Sequence, residues 1–155
     1  MTKSATRETA DGEFSTGIDV NGIVATDGIT TNTAGTSNFV AGVNAGNSIV
    51  SGGDYNTLVG DEAGTSITTG DYNTAVGYVS GYSNVSGTNN SYYGGYSGYY
   101  QLGSQNVSFG YGAFLGASGG ASTGSYNTAL GRDALSSNTT ADNNTAVGYS
   151  SLVSN

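Results

Sequence analysis

The sequence predicts an all-β chain wound as a β-solenoid, or β-roll, of about seven coils with about 17 residues in each. Three observations predict it. The stretch "GDYNTLVG" at residues 53–60 returns as "GDYNTAVG" at 70–77, an offset of 17 with one residue changed. The repeat extends to seven asparagine anchors, Asn38, Asn56, Asn73, Asn90, Asn106, Asn127 and Asn144, spaced by 18, 17, 17, 16, 21 and 17 residues. A fixed period of this kind decides architecture before any single motif does. Thirdly, Thr, Val and Tyr, which favour strands, cluster just after each anchor, while Asn, Gly and Asp, which favour turns, fill the rest.

The columns around the anchors define the coil. Four residues after each Asn stands a glycine: Gly42, Gly60, Gly77, Gly94, Gly110, Gly131 and Gly148. Seven after each is Ala or Ser, and three before each is Gly, with Ala141 the exception. Glycine held at a fixed phase marks a backbone position that needs positive φ or a close neighbour once per coil. That phase also decides against disorder, although Leu, Ile, Val and Phe make up only 27 of 155 residues and the net charge is −8. Seventeen residues are too few for a helical repeat and enough for two short strands and two turns. On alternation, the apolar position +3 (Ala41, Val59, Val76, Tyr93, Phe109, Leu130, Val147) is expected to face inward. The smaller position +2 (Val40, Leu58, Ala75, Tyr92, Ser108, Ala129, Ala146) is expected to face a close neighbour or solvent.

Along the chain, residues 1–14 are polar and of mixed charge, as expected of a flexible or partner-ordered arm. Residues 15–34 alternate around Asn21-Gly22 and Asp27-Gly28 and read as a strand–turn cap or attachment segment. Residues 35–155 form the repeat array. Its insertion "LGASGGASTGS" at 115–125 lengthens one gap to 21 and is expected to protrude as a loop. A rod this thin buries too little on its own to offset ordering each backbone residue at about 1–2 kcal/mol. The small columns at +2 and +7 are therefore expected to meet identical chains, most simply three around one axis, which makes the folded unit a homotrimeric fibre.

The motif "NTAVGY" at 73–78 and 144–149, followed by small residues, carries a resemblance. It resembles the head repeats of trimeric autotransporter adhesins, and still more the repeats of tail-fibre and other structural proteins of bacteriophages, especially those of marine cyanobacteria. The match covers about four fifths of the chain and is weaker over 82–123, where "NSYYG" and "NVSFG" replace the consensus. The adhesin heads, whose period is shorter than 17, imply a left-handed parallel β-roll in a tight homotrimer. The phage relatives imply a non-enzymatic virion component, a trimeric tail fibre or fibre-like module for attachment and display, located on the tail or a capsid-attached fibre. The alternative is a bacterial surface adhesin head. The opening residues favour the phage reading, because "MTKSATRETADGEFSTG" has no apolar run of the kind an export signal needs. Segment 15–34 is then expected to dock onto other virion proteins, and a host surface glycan or receptor is the expected external partner.

Other function classes find little support. With no His and no Cys, the commonest general base, the thiol nucleophile and most transition-metal ligands are missing. The acids Asp54, Asp71 and Asp142 occupy one turn column, and Asp61–Glu62 lacks the pattern of a calcium loop. No catalytic residue, metal site or cofactor is therefore expected. Nucleic acid is disfavoured because Lys3, Arg7 and Arg132 are the only basic residues, and the same acidity disfavours anionic membranes. The Thr column at +1 is broken by Phe39, Ser91 and Val107, which disfavours an ice-binding ladder. Twelve tyrosines remain. Tyr55, Tyr72 and Tyr126 before the anchors, and Tyr78, Tyr111 and Tyr149 after the +4 glycines, are expected to form aromatic ladders. The cluster Tyr92, Tyr93, Tyr96, Tyr99 and Tyr100 is the candidate contact surface.

Overall fold

A computed structural model describes residues 33–117 and 122–154. Within them the chain forms seven three-residue strands: β1 Phe39–Ala41, β2 Thr57–Val59, β3 Thr74–Val76, β4 Ser91–Tyr93, β5 Val107–Phe109, β6 Thr128–Leu130 and β7 Thr145–Val147. They build one parallel sheet in strict sequence order, so the molecule is an all-β solenoid in which each strand stacks on the same segment one coil earlier. No helix occurs among the described residues. The arm expected at 1–14 and nearly all of the cap at 15–34 lie outside the described residues, as does the tip of the 115–125 insertion.

Register follows the anchors without a slip: Thr57 pairs with Thr74, Leu58 with Ala75 and Val59 with Val76, and the pattern persists through the sixteen- and twenty-one-residue gaps. The asparagines enforce this. Asn56 Nδ2 donates to the Gly70 carbonyl (2.9 Å) while its Oδ1 accepts from the Asn73 backbone N–H (2.9 Å). The same two-way link joins Asn38 to Gly53 and Asn56, Asn90 to Gly103 and Asn106, and Asn106 to Gly124 and Asn127. From Asn38 to Asn127 the anchors are buried. Each side chain therefore satisfies two backbone groups that would otherwise be orphaned between coils. Two positions earlier runs a parallel ladder: the Asp54 N–H donates to Asp71 (2.7 Å), Thr88 to Ser104 (3.0 Å), Ser104 to Ser125 (3.1 Å) and Ser125 to Asp142 (2.7 Å). Any short side-chain oxygen acceptor serves here, which is why the column varies among Asp, Ser and Thr.

The glycine four residues on is dictated twice. Its φ lies between 121° and 146° in all seven coils, a region closed to residues with a Cβ. A Cβ at Gly60, Gly77, Gly94, Gly110 or Gly131 would also stand 2.5–2.7 Å from the carbonyl oxygen of the equivalent glycine one coil on. This is the corner where the strand ends and successive backbones pass close to one another.

The orientation of the strands is the reverse of the expected one. Position +2 faces the lumen: Leu58, Ala75, Tyr92, Ser108, Ala129 and Ala146 are buried. Position +3 faces out: Phe109 is 61% and Val147 67% exposed. The physical reason is the width of the coil. Position +2 shares the lumen with the small +7 column (Ala45, Ala63, Ser80, Ser97, Ala113, Ala134), so the width of the tube limits what the two columns hold together. Their size does not report contact with another chain.

Core volume is conserved by exchange between columns. Where the lumen holds Leu58 or Tyr92, the residue eight after the anchor is Gly46, Gly64, Gly81 or Gly98, and a Cβ there would come within 2.6–2.9 Å of the Leu58 or Tyr92 side chain. Where +2 shrinks to Ser108 and Ala129, the same slot carries Phe114 and Leu135, both fully buried. These two adopt left-handed backbone (φ 51° for each). The strain of about 1–3 kcal/mol is offset by about 1.5–3 kcal/mol from burying the side chain. Two apolar clusters result, one around Leu58, Ile67 and Tyr92 and one around Phe114 and Leu135. Polar residues lie between them: the Ser97 and Ser108 hydroxyls bond each other at 2.5 Å, and Gln101 pairs as a β-bridge with Ser122.

Candidate functional site

Two outward surfaces of the coil carry aligned side chains beyond the Tyr55–Tyr72–Tyr126 column. The first is the sheet face, where +1 and +3 side chains project. Phe39, Tyr93, Val107, Phe109, Leu130 and Val147 are all exposed there, and Tyr93 stacks on Phe109 with ring centroids 5.6 Å apart. Exposed apolar groups aligned along one strip are unusual on a chain with so little apolar content.

The second surface lies beyond the +4 glycines, on the turns. Position +5 or +6 places Tyr78, Tyr96 and Tyr111 on successive coils, and position +9 or +10 places Tyr82, Tyr99 and Tyr100 beside them. Six rings touch in sequence: Tyr78–Tyr96 edge to face at 5.6 Å, Tyr96–Tyr111 tilted at 5.6 Å, and Tyr96–Tyr99 at 5.6 Å. Tyr82–Tyr99 is a parallel stack at 4.8 Å and Tyr99–Tyr100 an edge contact at 4.5 Å. Tyr82 to Tyr99 is one coil step, so the stacking distance equals the strand spacing of about 4.8 Å. Arg132, one coil beyond Tyr111, lays its guanidinium over that ring at 5.6 Å and bonds Asp133 Oδ2 at 3.1 Å. At the opposite end Asp61 and Glu62 stand one coil before Tyr78.

The five tyrosines picked out in the sequence therefore separate into three places. Tyr92 is in the lumen, 1% exposed, and cannot contact a partner. Tyr93 belongs to the sheet face. Only Tyr96, Tyr99 and Tyr100 share the turn surface, joined there by Tyr78, Tyr82 and Tyr111, which lie outside the 89–100 cluster. The signal that would have found them is the coil phase: Tyr82 and Tyr99 both stand nine after an anchor. Of the expected ladders, Tyr55 and Tyr72 do stack, at 4.9 Å and 7°. Tyr78 and Tyr111 are bridged by Tyr96, because Gly95 occupies the intervening +5 slot. The anchors Asn38 to Asn127 and the +4 glycines are structural, turned to other coils rather than to an external ligand.

Local electrostatics follow from this crowding. The Tyr78 hydroxyl is pushed up from 10.0, first by the Tyr96 phenol beside it, then by loss of solvent and by Glu62 and Asp61. Tyr99 is raised mainly by burial, then by Tyr100, Tyr82, Tyr96 and Glu62. Tyr92 is raised furthest, by complete burial, with the nearby Asn106 amide acting in the opposite sense; its hydroxyl makes no hydrogen bond of good geometry. All three folded values lie above the unfolded 10.0, so the neutral phenol is favoured by folding. The stability they contribute is complete below pH 10 and is lost as pH rises through the folded values. Alkaline titration followed by phenolate absorbance and circular dichroism checks this. The Tyr92 phenol should ionise only as the solenoid unfolds.

Among the described residues no three His, Cys, Asp or Glu side chains gather as metal ligands would, and no helix is long and apolar enough to cross a membrane. The class defined by these features is a parallel β-solenoid with aromatic and apolar outward faces. Compared with protein families, characterised proteins and solved structures, the chain matches none.

Proposed function

We propose that the chain is a non-enzymatic structural component of a phage virion, a homotrimeric tail fibre or fibre-like module for attachment and display. Three copies pack their sheet faces around one axis, which covers the apolar +3 strip. Segment 15–34 docks onto other virion proteins, and the turn surface, carried outward on a rigid scaffold, is left for a host glycan or receptor. The observation that supports this best is the exposed line of Tyr93, Phe109, Leu130 and Val147 along one sheet face. A thin rod offers one such strip per copy, and closed cyclic symmetry buries it without leaving an open, growing edge. Seven rungs spaced by about 4.8 Å give a strip about 30 Å long.

Sedimentation and native mass spectrometry are expected to give a stable trimer, and Phe109→Ser with Val147→Ser is expected to shift it towards single chains. A wild-type chain that sediments as a folded monomer would remove the assembly. Antibody raised against residues 89–117 is expected to label particles, and particles that never take label would remove the virion assignment.

A further inference from the structure

The turn surface has a chemical bias that its aromatic content alone does not reveal. Its rings offer electron-rich faces, and its two ends carry carboxylates, Asp61 and Glu62 before Tyr78 and Asp133 beyond Tyr111. The whole chain bears a net charge of −8 with three basic residues, and Arg132 is the one basic residue among those described. That single arginine sits on this surface, its guanidinium 5.6 Å from the Tyr111 centroid and its Nε 3.1 Å from Asp133. The chain thus contains a worked instance of a cation held between a tyrosine face and a carboxylate. At the other end Tyr78 has carboxylates, Asp61 and Glu62, on the adjacent coil and no basic residue. Tyr78 is 51% exposed and meets Tyr96 edge to face, so whichever ring presents its edge, at least one face of Tyr78 has no ring against it. Asp61 and Glu62 stand on the adjacent coil, where the Val79 N–H donates to the Asp61 carbonyl (2.9 Å) and sets Asp61 in register with Tyr78.

We infer that the Tyr78 end of this surface docks a basic protein segment, with an arginine guanidinium seated over Tyr78 against Glu62 and Asp61. Charge complementarity selects this occupant. A polyanionic glycan would meet carboxylates at both ends, and a neutral sugar needs flat ring faces, several of which are taken by the Tyr82–Tyr99 stack. Arginine is preferred to lysine because its planar, weakly hydrated fork stacks on an aromatic face while still donating to a carboxylate. The inference deepens the attachment reading by giving the chemistry of the contact, and it rests on that reading only for its purpose.

The test uses the full chain and short capped peptides alternating Gly with Arg, the matching Gly/Lys peptides, and a neutral gluco-oligosaccharide, each titrated by calorimetry at low and moderate salt. The Arg peptide is expected to bind better than the Lys peptide. Tyr78→Ala and Glu62→Gln are each expected to weaken it about 3- to 10-fold, abolishing the Arg-over-Lys preference in the tyrosine variant. Tyr55→Ala, on the other tyrosine column, is expected to leave it unchanged. Equal loss in Tyr55→Ala and Tyr78→Ala, indifference between Arg and Lys, or binding of the oligosaccharide in place of the peptide would each overturn the inference. Sedimentation of the same samples separates the two ideas: a trimer that does not bind the peptide sinks only the docking site, and a monomer that binds it sinks only the fibre.

Discussion

Gly77→Ala is expected to cost the solenoid about 3 kcal/mol or more, enough to unfold the coils on either side of it. The replacement asks for two incompatible things. Gly77 has φ 134°, where any Cβ is strained, and that Cβ would lie 2.7 Å from the Gly94 carbonyl oxygen and 2.7 Å from its carbon. Strain of this kind is worth about 1–3 kcal/mol, and the clash adds to it because the partner is backbone rather than a side chain that can swing away. Relief requires opening the coil spacing, which stretches the hydrogen bond from the Gly77 N–H to Val59 (2.8 Å) and that from Gly94 to Val76 (2.8 Å). Chemical denaturation followed by circular dichroism is expected to show the loss. Gly52→Ala is the comparison, since a Cβ at Gly52 meets nothing within 4 Å and only its φ of 98° is unfavourable. Its cost is expected to be confined to that strain, clearly smaller. Equal costs at the two sites would mean that coil packing is not what demands the glycine.

Asn73→Ala is expected to cost about 3 kcal/mol, and Asn73→Asp at least as much at neutral pH. Asn73 Nδ2 donates to the Gly87 carbonyl (2.8 Å) and Oδ1 accepts from the Asn90 backbone N–H (3.1 Å), with the Asn90 and Asn84 amides also within reach (3.1 and 3.4 Å). Alanine leaves the buried Asn90 N–H without a partner, costing about 1–3 kcal/mol, and removes the shorter of two donors to the Gly87 carbonyl, the Asn84 amide remaining at 3.2 Å. Aspartate has the right shape and keeps the acceptor, but it sets a carboxylate against the Gly87 carbonyl at a site only 1% exposed. A protonated carboxyl can donate again. The folded pKa of that carboxyl is therefore raised above the unfolded value of about 3.9, so the variant's stability is recovered on acidification and lost as pH rises. Denaturation midpoints of wild type, Asn73→Ala and Asn73→Asp at acid and neutral pH check this. An aspartate variant as stable as wild type at neutral pH would show that the ladder needs only an acceptor, as the neighbouring Asp71 column does.

Much of the fold was legible in the letters. The Asn anchors, the glycine four residues later and the alternation of strand and turn formers specify a parallel solenoid, because backbone hydrogen bonds and left-handed corners recur once per coil. The face of each strand was not legible. Alternation establishes that +2 and +3 point opposite ways, but not which way is in, and the larger column was read as the core. The closed coil reverses that inference: Leu58, Ala75, Tyr92 and Ala129 at +2 lie inside, whereas Phe109, Leu130 and Val147 at +3 are exposed. A second glycine column was available and would have corrected it. Gly46, Gly64, Gly81 and Gly98 stand eight after their anchors and give way to Phe114 and Leu135 where +2 is small, a trade that makes sense only if both positions share one interior.

The contact surface was legible in part. A tyrosine-rich stretch was evident at 89–100, yet Tyr92, Tyr93 and Tyr96 point into the lumen, onto the sheet face and onto the turns in turn. Neighbours in sequence diverge because successive residues in a strand or tight corner leave it in different directions. Rings 15 to 18 residues apart meet because the coil returns each phase to the same side.

By itself, then, the amino-acid order determined that the chain is a stack of like rungs, where each rung begins, and which residues tie one to the next, since these depend on local backbone conformation and on a period. Only the tertiary structure decided which side chains are dry, and that Tyr96 touches both Tyr78 and Tyr111 while Arg132 lies over Tyr111. Both depend on the width of the closed coil, a property of no single rung.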